Sequence, residues 1–113
     1  MSPFEWDERK RAINLAKHGV DFELAKLIFE GPTLEGADDR RNYGERRFGA
    51  FGMVKGIVLF VVYTWRYSGR YSGRGRWRRL ISARKAGKHE QKIYASRIAA
   101  LPAAPDEATQ DEG

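Results

Sequence analysis

Fourteen Lys or Arg residues and a single acid, Glu90, lie between Arg46 and Pro105. The flanks run the other way, with seven basic against ten acidic residues over positions 1–45 and four acids in the last eight residues. The formal +6 of the chain therefore hides a concentrated positive field, the footprint of a polyanion site, and the usual polyanion is nucleic acid. The cations alternate with aromatics in Tyr63-Thr64-Trp65-Arg66-Tyr67 and in Arg76-Trp77-Arg78-Arg79. Aromatic faces stack on unpaired bases while guanidinium forks grip phosphates, so the mixture suits a single strand better than a duplex. Trp65, Arg70, Arg74, Arg76, Trp77, Arg78 and Lys85 are the residues expected to hold such a strand.

RNA brings its own nucleophile to a site of this kind. Its 2′-hydroxyl can attack the adjacent phosphorus without a metal, provided that the protein accepts a proton, neutralises the equatorial oxygens and protonates the leaving oxygen. Arginine suits the second task because its planar fork binds two phosphate oxygens and stays charged. Arg66 and Arg84 stand near the ends of two expected strands, and Lys85 adds charge beside the second. Candidates for proton transfer are Glu90, His18, Lys17 and Tyr94. Neighbouring cations keep Glu90 ionised but weaken it as a base, whereas His18 has the best intrinsic pKa for the task. Each residue also has a plainer reading. His18 can serve a helix C-terminus, Glu90 can be a helix-surface ion pair, and Tyr94 can anchor a helix to the sheet. Trp65 and Tyr63 can be core, Arg66 and Arg84 can be structural ion pairs, and Trp77, flanked by arginines, is expected to be exposed.

Composition removes other chemistries. There is no cysteine, hence no disulfide, thiolate metal site or thiol nucleophile. His18 and His89 are too far apart in sequence for zinc-like spacing, so neither a metal nor a cofactor is expected. The acidic first residues lack a secretory apolar region, and the longest apolar run, residues 57–65, is about half of a membrane span. A soluble cytoplasmic protein with no membrane association is expected.

The elements that position these residues follow from periodicity. Phe4-Glu5-Trp6 reads as a short strand, Asp7 as an N-cap with Glu8 in the first turn, and Gly19 as the left-handed residue that ends the helix after Lys17 and His18. Asp21 reads as a second N-cap, with Phe22, Ala25, Ile28 and Phe29 forming an apolar helical face before Gly31-Pro32. Beyond Pro32 the period becomes two. A weak strand near 33–35, a polar loop over 37–45 and a strand over 47–54 with Phe48, Ala50, Gly52 and Val54 on one side lead to a Lys55-Gly56 turn. Residues 57–66 read as a strand buried on both faces at the centre of a sheet. Residues 76–86 form the next, with Arg78, Leu80, Ser82 and Arg84 on one side and Arg79, Ile81, Ala83 and Lys85 on the other. A repeat, Tyr67-Ser68-Gly69-Arg70 and Tyr71-Ser72-Gly73-Arg74, joins the two strands. A last helix spans 88–101, and the Pro- and acid-rich tail over 102–113 is expected to be disordered. The fold class is α+β, a single domain over 1–101 with two N-terminal helices, an antiparallel sheet and one C-terminal helix.

In order along the chain, Phe4-Glu5-Trp6-Asp7, the segment from Asn14 to Phe22, Tyr43-Gly44-Glu45-Arg46-Arg47, the segment from Leu59 to Arg66, the segment from Leu80 to Ala86, and Glu90 with Tyr94 together resemble the BrnT family of bacterial type II toxins. The resemblance implies a small RelE-like ribonuclease domain, toxicity by RNA cleavage and neutralisation by a BrnA-type antitoxin. That antitoxin binds DNA through a ribbon-helix-helix domain, the two chains form a heterotetramer, and the toxin meets DNA only through its partner. Arg66 and Arg84 lie inside the shared motifs and are the first choices for catalysis. The Tyr-Ser-Gly-Arg repeat departs from the pattern, lengthening a connection that is only a few residues long in typical members. Two other functions share the basic face: a nucleic-acid-binding module without catalysis, acting only in an operator-binding complex, and a docking surface for an acidic protein.

Overall fold

The computed structural model describes residues 3–40, 44–67 and 75–100. Residues 68–74 of the Tyr-Ser-Gly-Arg repeat, Arg70 and Arg74 among them, and the tail over 102–113 lie outside them.

Strand β1 (Phe4–Glu5) leads into helix α1 (Glu8–His18), whose ends follow the capping chemistry. The Asp7 carboxylate accepts from the Arg9 backbone N–H, and Gly19 takes up a left-handed φ of 71° while its N–H donates to the Leu15 carbonyl. Asp21 caps α2 (Phe22–Ala25) in the same way. The expected second helix is shorter than its apolar spacing suggests. After Ala25 it tightens into a 3₁₀ turn over Lys26–Glu30, which still sends Ile28 fully into the core.

A five-stranded sheet follows, in the order β1-β5-β4-β3-β2, from β2 (Leu34–Ala37), β3 (Phe48–Val54), β4 (Ile57–Tyr67) and β5 (Arg76–Lys85). Every pairing is antiparallel except that of β1, which runs parallel to β5 through Phe4 and Glu5. Lys55 and Gly56 close the β3–β4 hairpin with φ of 51° and 77°, as a two-residue turn with two left-handed positions requires. Strand β4 is central and buried on both faces. Its Leu59, Val61 and Tyr63 pack with Phe22, Ala25, Ile28 and Leu80 under the N-terminal helices. On the other face Val58, Ala86 and Tyr94 form a smaller core beneath helix α3 (Lys88–Ala99). Among the described residues no helix is long and apolar enough to cross a membrane.

One irregularity decides what the sheet displays. Val62 pairs with Ser82 but Tyr63 pairs with Leu80, so Ile81 is an extra residue in β5. Such a bulge inverts the alternation on either side of it. Simple alternation puts Arg78 and Leu80 on the face of Arg84. Instead Arg78 and Leu80 share the face of the N-terminal helices with Ala83, while Arg79 joins Ser82 and Arg84 on the α3 face.

Candidate functional site

The α3 helix covers only one end of its face, and the remainder forms an open groove of about 660 Å³. Phe60 and Val62 from β4 and Ser82 and Arg84 from β5 make its floor, and Lys17 and His18 rise from the C-terminal end of α1. That helix end is fixed by Asn14, one turn earlier. The Asn14 amide donates to the Ala83 carbonyl at 2.8 Å and to the Val20 carbonyl at 3.0 Å, while its oxygen accepts from the Ala83 N–H at 3.1 Å. The pairing of β1 with β5 goes no further than Glu5 with Arg79, so no strand among the described residues lies beside this part of the β5 edge, and the Asn14 side chain takes the place of one. Arg40 and Arg47 complete the groove. The Asp38 N–H donates to the Arg47 carbonyl at 2.7 Å, extending the β2–β3 ladder so that both arginines leave the sheet at the same end.

Arg84 is held rather than loose. Its two terminal nitrogens donate to the two Glu90 oxygens at 2.8 and 2.9 Å, and its guanidinium carbon lies 4.8 Å from the centre of the Phe60 ring. Glu90 also accepts from the Gly87 N–H at 2.8 Å, which caps α3. The Arg84 bond, reinforced by that of Gly87, drags the Glu90 carboxyl down to about 2, and Arg84 is raised in return. A carboxylate so stabilised is a poor proton acceptor near neutrality. In the fold its two oxygens hold the Arg84 guanidinium in place.

A family model described as ribonuclease toxin, BrnT, of type II toxin-antitoxin system matches residues 6–90. The chain belongs to the BrnT family. No curated protein matches the chain. The BrnT match ends at Glu90, so every residue of the groove and the clamp on Arg84 lie inside it, whereas Tyr94 and most of α3 lie beyond.

The BrnT-family chain brings only some of the expected residues together. Lys17, His18 and Arg84 share the groove, with Glu90 directly behind Arg84. Arg66 pairs with Trp77 and Arg84 with Phe60; six residues of strand separate them, about 20 Å at the rise of a β-strand. Arg66 lies instead beside Glu45, Arg46 and Thr64. Tyr94 is buried, donates its hydroxyl to the Pro32 carbonyl at 2.8 Å and fastens α3 to the sheet.

Of the residues expected to bind RNA, Trp65, Arg76 and Arg78 occupy the opposite face. Arg78 stacks 4.0 Å from the Phe29 ring centre and 4.5 Å from that of Trp65, and Arg76 lies 4.0 Å over Trp65. Beneath them Tyr63 donates to Glu35, and burial first, then that bond, pushes the phenol up to about 12. Trp77, expected to be exposed, is half-buried with its indole nitrogen shielded from water, because it sits inside the β5 ladder, paired with Arg66 of β4. Lys85 is exposed at the end of β5.

Sequence reasoning missed Arg40, Arg47, Ser82 and Phe60. Period-two spacing does put Phe60 on the same face as Val62, but Arg40 lies in the expected polar loop, and the alternation that starts a strand at Arg47 does not say what that residue faces. Among the described residues no three His, Cys, Asp or Glu side chains gather into a metal-binding cluster.

Proposed function

We propose that this BrnT-family chain is a metal-independent endoribonuclease whose active site is the Lys17–His18–Arg84 groove. The observation that carries the reading is the convergence of Lys17, His18, Arg40, Arg47 and Arg84, drawn from three separate parts of the chain, on one open surface. A scissile phosphate placed among the arginines has its equatorial oxygens neutralised, with Arg84 preset by Glu90. The 2′-oxygen bonds to phosphorus as its proton leaves, the bond from phosphorus to the 5′-oxygen breaks, and that oxygen takes up a proton. The products are a 2′,3′-cyclic phosphate and a 5′-hydroxyl. An imidazole can both take and give a proton, and His18 stands in the groove to do so, with Lys17 beside it. One phosphodiester cannot touch both Arg66 and Arg84, so Arg66, Trp65, Arg76 and Arg78 belong to a longer RNA track or to a partner surface. The partner in this reading is a BrnA-type antitoxin of the ribbon-helix-helix class, which silences the toxin until it is lost.

The test is cleavage of bulk RNA in EDTA by the purified chain, beside Arg84→Ala and His18→Ala variants shown to be folded. Cleavage should survive the chelator and fall on the order of 100-fold both in Arg84→Ala and in His18→Ala. No cleavage by the folded wild type sinks the enzyme reading and favours a binding module; undiminished cleavage by Arg84→Ala moves the site elsewhere.

A further inference from the structure

A second groove, of about 480 Å³, adjoins the first and shares Phe60, Arg40 and Arg84 with it. Its character differs. Register aligns Phe51, Phe60 and Arg84 in one row across three strands, with the two rings 4.6 Å apart between centres and the guanidinium on the far side of Phe60. Position 49, in the neighbouring row, is a glycine because the Phe60 ring lies over it; a Cβ there would stand 2.5 Å from the ring's Cζ. The ring is thus laid along the sheet rather than upright from it. Across the groove α3 presents Ile93, which keeps 42% of its surface exposed, and Asp39 and Arg97 stand at the rim.

We infer that this second groove is a nucleobase subsite, in which an unpaired base flanking the scissile phosphate stacks on Phe60 against Ile93. The inference rests on the ribonuclease reading for the identity of the strand. An aromatic side chain lying on an open sheet face is a general platform for single-stranded bases. The aliphatic wall supplies a second apolar contact. The Asp39 carboxylate at the rim disfavours a phosphate but accepts hydrogen bonds from base amino groups, and Arg97 donates to ring nitrogens and carbonyls. Continuity with the basic groove through Arg84 then places base and phosphate side by side, the spacing that consecutive parts of one nucleotide chain need.

The experiment uses a fluorescent 2′-O-methyl RNA heptamer, which lacks the attacking hydroxyl and cannot be cleaved, together with versions abasic at each position in turn. Removal of one particular base should weaken binding to the wild type on the order of ten-fold, the weight of one stacked base. Phe60→Leu should weaken the intact heptamer similarly, and the two losses should not add, since both remove the same contact. Phe60→Trp should keep the dependence on that base. Additive losses, or affinity insensitive to every single base, overturn the subsite. Cleavage of bulk RNA is read separately: coupled binding without cleavage leaves the subsite standing and removes the enzyme, while cleavage without coupling does the reverse.

Discussion

Asn14 binds both backbone groups of Ala83, accepting from its N–H and donating to its carbonyl. A helix residue thus stands where no strand among the described residues borders β5. The side chain is buried, with 5% of its surface accessible, so its loss would leave the Ala83 N–H and carbonyl without partners and without water. We expect Asn14→Ala to destabilise the fold by about 2–4 kcal/mol, since each buried unsatisfied group costs about 1–3 kcal/mol. Asn14→Asp should be worse than Asn14→Ala, because it keeps the acceptor for the Ala83 N–H but sets a charge against the Ala83 and Val20 carbonyls. Urea unfolding of the three proteins checks the order. An Asp variant more stable than the Ala variant would mean that the amide is not the anchor.

The clamp on Arg84 makes a second prediction, in pH. Glu90 ordinarily titrates near 4.5 and in the fold is held at about 2. Its folded pKa is depressed, so the pair contributes its full stabilisation above the unfolded value and loses it as pH falls from about 4.5 towards 2. Both side chains keep roughly a third of their surface in water, so screening reduces the contribution to about 1 kcal/mol. Glu90→Gln should lower stability by about that amount at pH 7 and match the wild type near pH 2. Denaturant titrations from pH 2 to pH 7 measure the gap between the two proteins. A gap that persists at pH 2 would mean that packing or the Gly87 cap, and not the charge pair, is what Glu90 supplies.

Much of this architecture is legible in the residues, and the reason for each gap is physical. The caps Asp7, Gly19 and Asp21 are readable because a side-chain acceptor or a left-handed residue does one local job. The Lys55-Gly56 turn and the buried strand from Ile57 are readable for the same reason, as is the charge that marks the basic face. Register is not local. The bulge at Ile81 has no sequence signature of its own, and it alone moves Arg78 away from Arg84's face and turns Arg79 onto it. It leaves Arg66 where simple alternation places it, but no spacing rule says that Phe60, six residues earlier, is the partner of Arg84. Arg40 and Arg47 are invisible for a further reason: a cation in a polar loop or at the first residue of a strand resembles any solvated charge until the ladder bond from Asp38 to Arg47 shows that both are delivered to one end of the sheet.

The glycines of β3 provide the last test, because two of them are filled by different neighbours. A Cβ at position 49 would meet the Cζ and Cε1 of Phe60 at 2.5 and 2.7 Å, the far end of a side chain. A Cβ at position 52 would meet the Cβ of Ile28 at 2.6 Å, an atom fixed to the backbone of the 3₁₀ turn and fully buried. Both Gly→Ala changes overpack, at a typical cost of about 1–3 kcal/mol, but only the first can be relieved by a side chain. We expect Gly49→Ala to destabilise at the low end of that range and to be partly rescued by Phe60→Leu, whose shorter side chain ends before the clash. Gly52→Ala should lie at the high end and gain nothing from Ile28→Val, which retains the offending Cβ. Thermal unfolding of the four single and two double variants decides it. Equal costs at the two glycines, or a rescue at position 52, would show that the sheet yields as a body and that Phe60 is not laid down by the space Gly49 leaves.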